Sequence, residues 1–335
     1  MARISIIIPV YNVERHIKKC IDSVLIQSTD NAEIECVIVD DCSPDNSMDI
    51  VHQCIKNYQG NIHFILTKHE RNLGLSCARN TGFEASTGDY ILFLDSDDYF
   101  SADCISIFSQ VIIENPKADL VIGNHFSENR QSKHFPSLQE PKILQGHNQI
   151  IKEMYENRLG FYAWNKLVRR ELLQKNNIFF VKDLIFEDTL WSYSIYQHSN
   201  TIILLPEVTL FYKDNNGSIM NSKSKLSDRM INSLSYITNQ LLENVEKEQI
   251  GRCCILSFNF MMTAYDIRIQ HRCKQENIEQ LNKTRKRLIQ TALKGKRFLI
   301  CPFLLMMYSP FYYIQKISLF RHNFYKICRF LYLIG

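Results

Sequence analysis

The chain has 335 residues, 45% of them hydrophobic and 22% charged, with a formal net charge of +4. That length allows one or two domains, and the composition excludes a disordered, collagen-like or low-complexity chain. The charge is uneven: from Gln280 onward there are eleven Lys or Arg and no Asp or Glu, while the rest holds 28 basic residues against 35 acidic.

Residues 4–10 (ISIIIPV) are a continuous apolar run rich in β-branched side chains, which predicts a buried strand. Residues 16–27 carry Ile17, Cys20, Ile21, Val24 and Leu25 at helical spacing. Residues 35–39 predict a second buried strand, ending in Asp40-Asp41, and residues 47–58 a second helix. A third strand is predicted over 62–66, a helix over 74–85 and a fourth strand over 90–94. Strands alternating with helices predict an α/β fold, with parallel strands covered on both faces. In such sheets ligands bind beyond the carboxyl ends of the strands. Those ends are Pro9-Val10-Tyr11-Asn12, Asp40-Asp41 and Asp95-Ser96-Asp97-Asp98, and two of the three are carboxylate clusters.

Two nucleotide-binding devices are absent. A dinucleotide fold needs a glycine-rich turn after its first strand, and this chain has no glycine before Gly60. The phosphate-binding pattern G-x-x-x-x-G-K-[ST] is also missing. A bound diphosphate would therefore be held by metal ions on carboxylates. Three carboxylates as close as Asp95, Asp97 and Asp98 repel unless a cation sits among them. A hard divalent ion such as Mn²⁺ or Mg²⁺ suits them; taken alone, the pattern reads equally as a solvated acidic turn.

The pattern does not stand alone. PVYN after the first strand, DDCSPDNS after the second, RNLGLSCARNTGFEASTGDY before the fourth and LFLDSDDYF after it resemble glycosyltransferase family 2 in order and spacing. Trp164-Asn165-Lys166-Leu167 with Arg169-Arg170, Phe186-Glu187-Asp188-Thr189, and Tyr212 with Gly217-Ser218-Ile219 extend the resemblance. It implies a GT-A fold, a nucleotide-diphosphate-sugar donor (UDP-linked), a divalent metal, and inversion at the anomeric carbon. The acceptor would be a hydroxyl of a glycan or lipid-linked glycan in surface polysaccharide synthesis, and the sugar a hexose or N-acetylhexosamine.

Roles follow the same motifs. The resemblance assigns Pro9, Tyr11 and Glu14 to the nucleoside, with Tyr11 stacking on the base and Asp40 or Asp41 hydrogen-bonding it. Arg71 and Arg79 would line the same pocket and contact phosphate or base. Asp95, Ser96, Asp97 and Asp98 map to ribose and metal, and which aspartate touches the ion is open. An inverting transfer needs a base on the sugar face opposite the leaving diphosphate. The resemblance places it in Glu187-Asp188, and we assign it to Asp188. The same pair could serve as acids at a helix N-terminus, since residues 189–197 look helical. Trp164 reads either as an acceptor-facing aromatic or as a core residue. Lys166, Arg169 and Arg170 are expected to be solvated, and Gly74, Gly82 and Gly88 to be backbone devices.

The domain expectation is a catalytic unit over 1–220, with the donor side in 1–100 and the acceptor side in 101–220. A helical region would follow over 221–335. Residues 298–315 carry no charge but are interrupted by Pro302 and Pro310, with Lys and Arg on both flanks. An amphipathic anchor on an anionic membrane surface fits that pattern. No nucleic-acid motif accompanies the charge, so no nucleic-acid partner is expected. The eleven cysteines are scattered through apolar runs, and Met1-Ala2-Arg3 leads directly into a strand. Reduced thiols in a cytoplasmic protein at the inner face of the membrane are expected. Two alternatives remain: a nucleotidyltransferase, which should carry a glycine- and Lys/Arg-rich loop in place of PVYN, and an inactive nucleotide-sugar-binding relative. Processive synthases differ, because Gln-x-x-Arg-Trp is missing here.

Overall fold

The computed structural model describes residues 1–28, 30–135, 137–156, 158–213, 223–243, 245–271 and 273–295. They form two compact units, one comprising 1–154, 159–183 and 187–213, the other 155–158, 184–186 and 223–295.

The first unit opens with β1 (Ala2–Val10), α1 (Ile17–Leu25), β2 (Ala32–Asp40), α2 (Ser47–Lys56), β3 (His63–Lys68), α3 (Leu75–Ala85) and β4 (Tyr90–Phe93). The ladder between β1 and β2 begins at Ala2 and Ala32, before the apolar runs do, because backbone pairing rather than side-chain hydrophobicity sets the strand ends. Alternate residues of β1 serve opposite faces. Ile4, Ile6, Ile8 and Val10 join a buried cluster with Ile17, Cys20, Ile21 and Val24 of α1. Full burial of one such side chain contributes about 1.5–3 kcal/mol. On the other face α3 lies so close that a Cβ on Gly82 would sit 2.3 Å from Ile7 Cγ2 and 3.2 Å from Val39 Cγ2. Only glycine at 82 lets α3 approach β1 and β2 this closely, and that approach carries Arg79 to the site.

The chain continues through β5 (Tyr99–Phe100), α4 (Cys104–Glu114), β6 (Leu120–Ser127), β7 (Ser132–Lys133), β8 (Lys142–Gln145) and α5 (His147–Tyr155). Then come β9 (Lys166–Arg169), α6 (Arg170–Lys175), α7 (Glu187–His198) and β10 (Thr201–Tyr212). The mixed sheet runs β3-β2-β1-β4-β9-β6-β10-β5, with β7 on β6 and β8 on β10. Strands β1 to β4 are mutually parallel where they pair, as are β6 and β10, while β9 is antiparallel to both β4 and β6. The order reverses at β1, which has β2 on one side and β4 on the other. That is the topological switch point at which open α/β sheets bind ligands. Asn165 pins β9 in place from a left-handed conformation (φ 57°). Its Nδ2 donates to the carbonyls of Gly123 (2.9 Å) and Asn124 (3.0 Å), and its Oδ1 accepts from Thr209 Oγ1 (2.7 Å).

The second unit contains α8 (Lys223–Glu243), a 3-10 turn (Lys247–Gln249), α9 (Ile250–Gln270) and α10 (Gln275–Lys294). Met230, Ile237, Leu241, Cys253, Met261, Leu281 and Leu288 are buried among these helices. Asp228 fixes the start of α10 by accepting from Lys274 N (3.0 Å) and Asn277 Nδ2 (2.6 Å). Among the described residues no helix is long and apolar enough to cross a membrane. The 298–315 segment and Gly217-Ser218-Ile219 lie outside the described residues.

Candidate active site

Two loops meet beyond the ends of β1 and β2. Asn12 (φ 55°) turns the chain after β1, and the backbone N–H groups of Asn12, Val13 and Glu14 donate to Ser43 Oγ (2.8 Å), Ser47 Oγ (3.1 Å) and Asp45 Oδ2 (2.9 Å). Asp45 is the hub, since its Oδ1 also accepts from the hydroxyls of Ser43 and Ser47, both at 2.6 Å. Burial works against its charge, but the hydrogen bonds from Ser43, Ser47 and two backbone amides hold its carboxyl down at about 2. Sequence reasoning passed over Asp45, although Ser-x-Asp-x-Ser just before a helix signals side chains that bond local backbone. Within this frame Pro9 is buried in β1 and Tyr11 stands 47% exposed. Glu14 is exposed, and its Oε2 accepts from Asn46 N (3.2 Å) and Asn46 Nδ2 (3.3 Å), so it also ties the loops together.

Asp40 and Asp41 differ in employment. Asp41 is buried and saturated: Oδ1 accepts from Leu73 N (2.7 Å) and pairs with His69 Nδ1 (2.7 Å), and Oδ2 accepts from Gly74 N (2.8 Å). It shapes the Arg71-Asn72-Leu73-Gly74 turn, where Gly74 takes φ 90° and opens α3. The resemblance offered Asp40 or Asp41 to the base, and in this structure both oxygens of Asp41 serve the turn. Asp40 accepts from Ser43 N (2.7 Å) and lies 3.4 Å from Lys68 Nζ. Arg71 is exposed on the turn that Asp41 holds.

The Asp95-Ser96-Asp97-Asp98 turn follows β4, closed by Asp98 N donating to the Asp95 carbonyl at 3.0 Å. Its carboxylates are not equivalent. Asp98 is buried and accepts from Lys213 N (3.1 Å) through Oδ1. Asp95 accepts from Arg79 Nη2 (2.6 Å). Asp97 is half-buried between them, and Ser96 is buried. Among the described residues no group of three or more His, Cys, Asp or Glu could by itself hold a metal ion. A hard divalent ion that keeps water and phosphate ligands needs only one or two carboxylates. Asp97, with the second oxygen of Asp95, fits that requirement.

Arg79 is the buried centre of the site. It is 2% exposed on α3, and its guanidinium joins Asp95 to Glu187, with Nη1 donating to Glu187 Oε1 at 2.7 Å. Burial opposes its charge, yet Asp95 and then Glu187 outweigh that, so its proton affinity is raised. Both terminal nitrogens of Arg79 are thus used on carboxylates, where the resemblance assigned it to phosphate or base. This use also separates the Glu187-Asp188 pair at the start of α7. Glu187 is spent on Arg79, whereas among the described residues no N–H or O–H donates to Asp188. Asp188 is half-buried, and burial first, then the Glu187 charge, pushes its carboxyl up to about 7, against the pull of Arg79 and Lys166. Phe186, one residue earlier, holds φ 65°, a conformation that bulky side chains rarely adopt outside functional sites.

On the β9 side the expectations for the cations fail. Lys166 is wholly buried. Arg169 Nη2 donates to the carbonyls of Pro116 and Ala118, at 2.6 and 2.8 Å, and Arg170 bonds the Gly88 carbonyl (Nε, 2.5 Å) and Ser86 Oγ (Nη2, 2.5 Å). Arg169 lies over the Tyr90 ring and Arg170 over the Phe83 ring, and the head groups staple loop backbone. Trp164 is 8% exposed, its ring stacked between those of Tyr162 (4.1 Å) and Tyr212 (5.4 Å), with His125 edge-on at 4.7 Å. Its backbone bridges Phe93 at the end of β4, so this stack flanks the Asp95 turn.

Comparisons with known proteins place the chain. The model of Glycosyl transferase family 2 matches residues 5–176. The uncharacterized glycosyltransferase EpsJ of Bacillus subtilis is 35% identical over 223 residues, 64% of this chain and 62% of that protein's length. Staphylococcus aureus TarS (1–349) in complex with UDP-GlcNAc is similar in structure, with a TM-score of 0.67, 23% identity, and coverage of 86% of this chain and 81% of that one. Mannosyltransferase PcManGT of Pyrobaculum calidifontis, in complex with GDP-Man and Mn²⁺, gives a TM-score of 0.56 at 15% identity, over 98% and 85% of the two chains. These likenesses are to the GT-A fold, and with the family match they settle the class: this chain belongs to glycosyltransferase family 2.

Proposed function

We propose that the protein transfers a sugar from a nucleotide-diphosphate donor, a UDP-sugar, to a hydroxyl of a glycan or lipid-linked glycan, with inversion at the anomeric carbon. The observation that carries this reading is the division of labour in Glu187-Asp188: the first carboxylate is bound by Arg79, while among the described residues no N–H or O–H donates to the second, whose carboxyl burial pushes up to about 7. A general base works best with a pKa close to the operating pH. Tyr11 offers its exposed ring to the base, Asp40 lies beside it at the end of β2, and Arg71 supplies an exposed cation. The acceptor hydroxyl gives its proton to Asp188 while its oxygen forms the new bond to the anomeric carbon. The bond from that carbon to the diphosphate oxygen breaks on the opposite face, which inverts the centre. A divalent ion on Asp97 and Asp95 would neutralise charge on the departing diphosphate. The Mn²⁺ of the mannosyltransferase complex and the UDP-GlcNAc of the TarS complex support the choice of ion and donor class.

The acceptor reading extends to a membrane surface. On α10, Lys283, Lys286 and Lys294 are exposed, and no acidic residue follows Glu279. Such a face suits anionic lipid, and so does an acceptor carried on lipid. The test of the whole reading is a screen of nucleotide sugars by donor hydrolysis and thermal shift, with and without Mn²⁺. Metal-dependent stabilisation by one nucleotide class supports it, and indifference to every nucleotide overturns it.

A further inference from the structure

Lys166 poses a problem that the proposed mechanism leaves unsolved. It is fully buried on β9, yet among the described residues no carboxylate lies within 4.0 Å of its ammonium group. Burial without an ion pair disfavours the ammonium form, so the groups around Nζ decide how far the charge survives. Part of the answer is local: Nζ donates to the Tyr162 carbonyl and sits 3.6 Å from the centre of the Tyr162 ring, with the Tyr196 ring at 6.0 Å. The rest lies along α7. Asp188, Ser192 and Tyr196 recur every fourth residue and so share one stripe of that helix. Ser192 Oγ donates to the same Tyr162 carbonyl (3.2 Å) that Lys166 uses, and Tyr196 OH donates to the Leu159 carbonyl (3.1 Å). The stripe therefore packs onto the pocket holding the ammonium, with Asp188 one turn N-terminal to Ser192.

We propose that Lys166 is a positioning residue for Asp188: its ammonium, held at Tyr162 beside the Ser192–Tyr196 stripe one turn along α7 from Asp188, favours the charged form of the base that takes the acceptor proton. The inference rests on the assignment of Asp188 as base. It explains why a carboxylate that receives no hydrogen bond can still ionise. Its surroundings are Glu187 on its own helix, Arg79 from α3, Asp95 from the end of β4 and Lys166 from β9. Arg79 already serves Asp95 and Glu187, which leaves Lys166 as the cation not otherwise paired. The effect is mutual: burial depresses the Lys166 ammonium well below its ordinary range, and Asp188 is the charge that opposes this. His125 and His134 feel the same cation, although burial is the main reason that both imidazoles stay neutral.

The test compares Lys166→Met, which keeps the stem and removes the charge, with the wild type and Lys166→Arg. Transfer is measured from pH 5.5 to 9, alongside donor binding by calorimetry. Lys166→Met should move the acid limb of kcat/KM up by about one pH unit, so that the loss at pH 6.5 is about sixfold greater than at pH 8.5. Donor affinity should be unchanged, and Lys166→Arg should restore part of the profile. A folded, donor-binding Lys166→Met enzyme with an unshifted limb overturns the proposal. If Lys166→Met does not fold, ¹³Cε NMR of the lysines in wild type and Asp188→Asn asks the same question. The Lys166 resonance should titrate at lower pH once the carboxylate is gone, and identical titrations overturn the coupling. That arm needs no turnover, so an enzyme inactive towards every donor would refute the functional reading without deciding this one.

Discussion

Arg79 Nη1 donates to Glu187 Oε1 at 2.7 Å across 108 positions of sequence, and the same guanidinium holds Asp95 at 2.6 Å. One buried cation thus locks the turn after β4 to the start of α7. The fork geometry of arginine lets a single side chain serve two carboxylates, which a lysine cannot reproduce.

Arg79→Met should leave Glu187 and Asp95 close together without a counter-charge. Breaking a buried ion pair from one side costs about 3–5 kcal/mol. Urea denaturation should show a loss of that order, and Arg79→Lys should recover less than half of it. A loss under about 1 kcal/mol for Arg79→Met, the scale of an exposed pair, contradicts the buried clamp.

Asp188→Asn keeps the shape of the side chain but cannot take a proton. Turnover should fall about 10²-fold or more while donor binding survives. In the wild type kcat/KM should rise with pH and level off above about 7, because the carboxylate is the active form and its carboxyl is raised to about 7. Asp188→Asn should lose that limb. Glu187→Gln should lower stability along with activity, since it strips Arg79 of a partner. Retained turnover in Asp188→Asn would falsify the assignment within the pair.

Asp45→Ala should loosen both nucleotide-side loops. The Asp45 carboxyl sits at about 2 in the folded chain, below its ordinary 3.8, so its contribution is present above pH 4 and lost as pH falls towards 2. A destabilisation of about 1–2 kcal/mol, as for a lost helix cap, is expected at pH 7, together with weaker donor binding. The difference from wild type should shrink in melts below pH 4. A deficit that stays constant down to pH 2 would show that Asp45 acts through something other than its charge.

Chelation should abolish transfer, and Mn²⁺ or Mg²⁺ should restore it. Asp97→Asn should weaken metal-dependent donor binding far more than Asp98→Asn, whose carboxylate faces Lys213 N. Full activity in excess chelator would remove the metal from the scheme.

Reversing charge on α10, as Lys283→Glu with Lys286→Glu, should reduce co-sedimentation with anionic vesicles. Each basic residue at such a surface contributes about 1 kcal/mol, and raised salt should release the wild type. Donor hydrolysis should be unaffected. Equal pelleting of wild type and variant would move the attachment away from this helix.

The order of strands and helices through β4 was legible because local patterns carry it. Isoleucine runs that must be buried on both faces make parallel strands, and aspartates at their ends mark the binding edge. The linked motifs likewise sufficed for the family. Which carboxylate does what was not legible, because it depends on partners far away in the chain. Asp41 stands at a strand end in sequence but is taken up by the turn before α3, and Asp98 accepts from Lys213 N. Lys166 carries a charge, and charged side chains normally stay in water; only the packing of Tyr162 and α7 encloses it. Arg79 reads in sequence as a contact to phosphate or base; Gly82 draws α3 onto the sheet and brings Glu187 within its reach. Periodicity and strand-end chemistry are properties of neighbouring residues and can be read in sequence. Ion pairing and desolvation depend on what the fold places alongside, so only the tertiary structure decided them.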